Sequence, residues 1–243
     1  MTKIESNNIE ITNIKKTFNL TYQNNQSILA RLLSVLSAKQ QTKKIEVIKK
    51  ISFNVKKGEI VGLIGKNGSG KSTLLRLIAG IYPLDSGTIN INGKIISIIG
   101  LGQGMKERLT MKENIFLACS LFGISRKNIK KKLNSIINFA ELKEYTNTKL
   151  FQFSSGMIQR LAFSIAIHSD PDILLLDEVF EVGDKEFRKK SSEKLKELVK
   201  QGKSIILVSH EIWMIEKHCN RVIWLKDGKI YQEGETKEIL KNY

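Results

Sequence analysis

The sequence predicts an α/β fold: a largely parallel core sheet with antiparallel pieces early in the chain and at its end. Three observations carry this. Glu59-Ile60-Val61-Gly62-Leu63-Ile64 and Ile173-Leu174-Leu175-Leu176 are nearly continuous apolar runs, as expected of strands covered on both faces. Stretches of helical periodicity, at 72–79, 155–167, 187–200 and 212–218, stand between strand-like runs. Strands alternating with helices through the middle and late chain are the mark of an α/β core.

The elements follow in order. Residues 9–18 read as a short strand. Residues 19–45 interrupt the pattern, and within them Ile28, Leu29, Leu32, Leu33, Val35 and Leu36 recur at roughly helical spacing, which predicts an amphipathic helix. The polar stretch 38–44 reads as a loop, and 51–55 alternates like a half-buried strand. Runs 88–91 and 94–99 flank Asn92-Gly93, a strong hairpin signal, and Asp227-Gly228 does the same between 222–225 and 229–232. Residues 110–150 read as mainly helical, opened by Thr110 and Glu113 at capping-box spacing. No repeat is visible, so one domain over 1–243 is expected.

Composition excludes several classes. The chain is 41% hydrophobic, enough for a sizeable core, and no run approaches the ~18 apolar residues of a spanning helix. Its first residues turn polar at once, so no secretory signal is read there. Cys119 and Cys219 have no metal-ligand spacing and read as reduced, buried thiols of a cytosolic protein, and His168, His218, Trp213 and Trp224 read as packing residues. The net charge of +16 comes from 40 basic and 24 acidic residues, but only seven of the cations are arginines. Bidentate readers of nucleic acid favour Arg. Solvated lysine faces, or an anionic membrane surface, are therefore expected ahead of nucleic acid.

The chemistry begins at Gly65-Lys66-Asn67-Gly68-Ser69-Gly70-Lys71-Ser72-Thr73, between a predicted strand and a predicted helix. That context makes it a phosphate-binding loop. Glycines let the backbone wrap a triphosphate, and the helix start adds positive potential. Lys71 would neutralise the outer phosphates and the Ser72 hydroxyl would hold Mg2+. At the end of a buried strand stand Asp177, placed to orient Mg2+, and Glu178, placed to polarise an attacking water.

Two further elements gain meaning from position. Phe153-Ser154-Ser155-Gly156-Met157 lies just before a helix, and its hydroxyls and amides suit an anion. A second phosphate cradle in one chain makes sense when it closes over a nucleotide held by another copy. His210 stands at a strand's carboxyl end, 33 residues beyond Asp177, where it would donate to the terminal phosphate. Taken alone, it reads more readily as a structural histidine.

In this order and spacing the four elements resemble the ATP-binding cassette family over essentially the whole chain. The resemblance implies a RecA-like core, an antiparallel β subdomain, and a helical subdomain at about 101–155 bearing the signature motif at Ser154 to Met157. It implies ATP and Mg2+ as cofactors, a head-to-tail pair of copies, and an integral membrane permease at the cytoplasmic face of the membrane. It also implies that Glu181-Val182-Gly183-Asp184 occupies the D-loop, that His210 is the switch histidine, and that Phe18 or Tyr22 stacks on adenine. The register of the family's metal-contacting glutamine falls on Leu101, and Gln103 is the nearest candidate. Leu101-Gly102-Gln103-Gly104, the Ser-Ser-Gly-Met signature and the amphipathic insertion resemble the exporters of cell-surface polysaccharide, O-antigen or teichoic acid. An importer ATPase, or an ABC protein acting on nucleic acid or the ribosome, are the competing expectations.

Overall fold

The computed structural model describes residues 7–21, 42–99, 104–177 and 184–243. Tyr22, the predicted helix at 28–36, Gln103, Glu178 and residues 181–183 lie outside them.

Strands β1 (Asn7–Thr21), β2 (Thr42–Lys56) and β4 (Ser86–Ile91) form an antiparallel sheet in the order β2-β1-β4. Strands β3 (Ile60–Ile64), β5 (Ile95–Ile99), β6 (Ile173–Asp177), β7 (Ser204–Val208), β8 (Arg221–Lys226) and β9 (Lys229–Glu235) form the second sheet, ordered β5-β6-β7-β3-β8-β9. Only β9 runs antiparallel there. The helices are α1 (Lys71–Ile78), α2 (Met111–Leu121), α3 (Arg126–Ala140), α4 (Ser155–His168), α5 (Lys185–Lys200), α6 (Ile212–His218) and α7 (Thr236–Lys241).

Strand β6 shows why the core sheet reads as a continuous apolar run. Leu174 and Leu176 pack with α4 and α5, while Ile173 and Leu175 pack with α1 and the antiparallel sheet. Each of these side chains is fully buried, contributing roughly 2 kcal/mol of transfer free energy. A third apolar cluster, built on Met111, Ile115, Ile136, Leu161 and Ile165, holds α2, α3 and α4 together as a helical subdomain. The predicted capping box is present: Glu113 N–H donates to Thr110 Oγ1, and Thr110 N–H donates to Glu113 Oε2. No helix among the described residues is long and apolar enough to cross a membrane.

Three expectations are corrected. Asn92-Gly93 is not a hairpin: β4 pairs with β1 and β5 with β6, so the dipeptide carries the chain from one sheet to the other. A two-residue hairpin turn of this kind needs positive φ at both central residues. Asn92 lacks it, whereas Asp227 (φ 51°) and Gly228 (φ 77°) both have it, and β8 and β9 do form a hairpin. The loop expected at 38–44 gives way at Thr42 to β2, whose polar residues pair with the outer half of β1. Trp213 is no packing residue: it is exposed, and its indole N–H donates to Glu211. Helix α7 carried no signal strong enough to predict. Cys119 and Cys219 are buried thiols, as expected.

Candidate active site

The register of the core sheet assembles the site. Leu63 pairs with Val208, Val208 with Asp177, and Asp177 with Ile99. The strands are parallel, so the phosphate loop after β3, the Asp177 carboxylate and the approach to His210 all leave the same sheet edge. Ligands of open α/β sheets bind at this edge.

The loop's glycines are dictated by neighbours. A β-carbon on Gly65 would lie 2.2 Å from the Leu225 carbonyl oxygen, and one on Gly70 would lie 2.9 Å from Ile48 Cδ1. Gly68 has open space but a φ of +79°, which a side chain strains. Lys66, Asn67 and Gly68 are exposed. Lys71 is buried, its Nζ donating to the carbonyls of Gly65 (2.6 Å) and Lys66 (3.2 Å). The ammonium thus sits inside the wrapped backbone. The first bond of α1 runs from Leu74 N–H to the Gly70 carbonyl, so the amides ahead of it lie outside the helical ladder. Ser69 Oγ is buried and has no hydrogen-bond partner among the described residues.

These donors fit a polyphosphate. The Ser72 hydroxyl and the Asp177 carboxylate would offer the hard oxygen atoms that Mg2+ prefers. Mg2+ suits such a site, because it is commonly held by few side chains together with phosphates and water.

Other predicted residues stand further out. Phe18 lies on β1 opposite Ile45, two residues along β2 from Val47, whose carbonyl oxygen would stand 3.1 Å from a β-carbon on Gly70. Its ring meets Tyr82 edge-on at 5.4 Å. His210 is exposed just beyond β7. Ser154 caps α4 by accepting the Met157 N–H at 3.2 Å; Ser154 and Ser155 are exposed, while Gly156 and Met157 are half-buried. No hydrogen bond among the described residues joins them to the phosphate loop. Asp184 caps α5: Oδ1 accepts the Phe187 N–H at 2.9 Å and Oδ2 accepts from Arg160 at 2.7 Å. The Phe187 amide, then Arg160, hold its carboxyl below the usual range.

Sequence reasoning missed two supports. Gly228 stands against β2, a β-carbon there falling 2.4 Å from the Val47 carbonyl oxygen, and its own carbonyl accepts the Lys49 N–H at 2.8 Å. Leu225, Gly228 and Val47 together brace both ends of the phosphate loop. Arg221 bonds Glu59, Glu233 and the Asn54 carbonyl, joining both sheets. Neither leaves a local signal, since each depends on residues far apart in the chain.

A phosphate loop and an acidic strand end on one sheet edge, beside a cluster of packed helices, define a nucleotide-binding cassette. The family model described as ABC transporter matches residues 48–181, and the chain belongs to that family. It is 39% identical over 229 residues to the O-antigen export system ATP-binding protein RfbB of Myxococcus xanthus, covering 94% of this chain and 52% of that protein. It is 44% identical over 215 residues to the teichoic acids export ATP-binding protein TagH of Enterococcus faecalis, covering 88% and 47%. The chain therefore spans about half the length of these relatives. A solved dimeric ATP-binding cassette in a post-hydrolysis state, bound to ADP and Pi, superposes with a TM-score of 0.76 at 25% identity, covering 94% of this chain and 98% of that one.

Proposed function

We propose that this chain is the ATP-hydrolysing subunit of an exporter of cell-surface polysaccharide, of the O-antigen or teichoic acid class. It works as a head-to-tail pair of copies beside an integral permease, at the cytoplasmic face of the membrane. What supports the reading is that the phosphate loop and the Ser154-Ser155 helix start stand on different parts of one chain. The phosphate loop, Asp177 and His210 share one sheet edge, while the exposed Ser154-Ser155 helix start stands on the helical subdomain.

In this reading Lys71 and the loop amides hold the phosphates of ATP, and Phe18 stacks on the adenine. Ser154 to Met157, with Asp184 nearby, face the nucleotide of the other copy. Ser72 and Asp177 would hold Mg2+, which supplies charge neutralisation when bound. Glu178 takes a proton from the attacking water, and His210 donates to the terminal phosphate. Catalysis rests on positioning and preorganised charge. Hydrolysis then releases the contact between copies, as in other phosphate-dependent switches.

An apolar groove of about 330 Å³, lined by Ile98, Met105, Leu121, Phe122 and Ile165, lies between β5 and the helical subdomain. It supports contact of this subdomain with the permease. The test is sedimentation of the Glu178→Gln chain saturated with Mg·ATP, alone and with its co-purifying membrane protein. Dimers are expected in at least one of these settings. A strictly monomeric chain in both refutes the proposal.

A further inference from the structure

The charged groups where α3, α4 and α5 meet form a continuous chain. Glu141, just past α3, accepts from Arg160 Nη1 at 3.2 Å with one oxygen and from Lys190 Nζ at 3.1 Å with the other. Arg160 Nη2 continues to Asp184 Oδ2 at 2.7 Å. Lys190, on α5, also donates to the Asn138 and Phe139 carbonyls at the end of α3. Beneath the charges, Phe139, Phe163 and Phe187 contribute one ring from each helix, with centroids 5.8 to 6.3 Å apart. Arg160 lies over the Phe187 ring at 5.0 Å, and Lys190 over the Phe139 ring at 4.7 Å.

Two details go beyond what packing requires. Glu141 has a φ of 60°, a left-handed helix end at which glycine is the usual occupant. A carboxylate at this strained position serves two cations on two other helices. Arg160, in turn, uses its planar fork to span two acids on different elements, a geometry that lysine cannot reproduce. It stands about one helical turn beyond Gly156. Arg160 therefore ties the helix whose start carries Ser154 and Ser155 to the residue that caps α5.

We infer that Arg160 is a positioning residue for the reaction. It holds the Ser154-Ser155-Gly156 helix start at a set distance from the amino end of α5, so that the face offered to a second copy is preorganised. The inference rests on the function proposed above. Among the described residues no hydrogen bond or ion pair joins the phosphate loop on the core sheet to these groups, so loosening the junction slows turnover without weakening ATP binding to a single copy.

The test uses the full chain with two variants. Arg160→Lys keeps the charge but loses the fork. Glu141→Gly removes the carboxylate while giving the left-handed position its preferred residue, so its folding is protected. Both are expected to lower kcat about tenfold, with ATP affinity within about twofold of the parent. The thermal midpoint of Glu141→Gly is expected to hold or rise. A kcat within about twofold of the parent in both variants overturns the inference, because a purely structural bridge moves stability rather than the split between turnover and binding. A parent chain that binds ATP yet never hydrolyses it, with or without the membrane partner, overturns the functional reading and this inference with it.

Discussion

The Leu225 carbonyl oxygen lies 2.2 Å from the point where a β-carbon on Gly65 would stand. The first residue of the phosphate loop is thus pressed against the backbone of β8, a strand more than 150 residues away in the chain. Gly65 also has a φ of +143°, so a side chain there is both strained and blocked. Gly65→Ala is expected to push the loop off β8 and weaken ATP binding at least about tenfold, roughly 1.4 kcal/mol. Calorimetric titration with ATP measures this, and unchanged affinity would mean that the loop's seat on β8 does not set its shape.

Glu178 follows Asp177, whose strand the core sheet fixes in register with the phosphate-loop strand through β7. Glu178→Gln is expected to bind ATP normally and to lose on the order of a hundredfold in turnover, about 3 kcal/mol of barrier. Steady-state phosphate release decides it. Near-normal hydrolysis would assign the proton acceptor elsewhere.

The crossover at Gly93 gives a prediction about folding. A β-carbon there would lie 2.6 Å from Asp172 Cβ, at a φ of +117°. Asp172 accepts from Lys203 Nζ at 2.8 Å and from the Lys94 N–H at 2.8 Å, so it has little freedom to retreat. Gly93→Ala is expected to cost about 1–3 kcal/mol of stability. Urea unfolding of this variant should show an earlier midpoint at an unchanged slope; an unshifted midpoint would contradict the packing.

His218 is buried on α6, with Nε2 3.3 Å from Ser192 Oγ. Burial, with Lys217 and Lys196 adding repulsion, pushes its imidazole down to about 4. An unfolded histidine titrates near 6.5, so between these values the unfolded chain binds more protons and stability rises with pH. This contribution is whole above about pH 6.5 and is lost as pH falls to about 4. The loss expected from this group over that interval is on the order of 3 kcal/mol. Urea midpoints at about pH 7.5 and about pH 4.5 should separate more for the parent than for His218→Asn. Equal separations would show that another group carries the acid sensitivity. Burial lowers the His168 imidazole as well, but both chains share that effect.

The two dipeptides Asn92-Gly93 and Asp227-Gly228 show how far the sequence could be read. Both carry the same local chemistry, and one makes a hairpin while the other carries the chain between sheets. The difference lies in which strands stood ready to pair: β4 found β1, and β5 found β6, each far along the chain. Similarly, β2 extends through polar residues because the outer half of β1 offers it a ladder. Period and apolarity could not report a partner so distant.

By itself the sequence determined the helices and buried strands around the phosphate loop, the glycine pattern of that loop, and the capping box at Thr110. Those depend on glycine placement, side-chain periodicity and charge within a few neighbouring positions, which the chain carries locally. Only the tertiary structure decided that Leu225 and Val47 brace the loop, that Asp184 is held by Arg160, and that Asp177 and Val208 share a row. Each of these requires backbones separated by many residues to come within van der Waals or hydrogen-bond reach, and strand pairing and core packing alone bring them there.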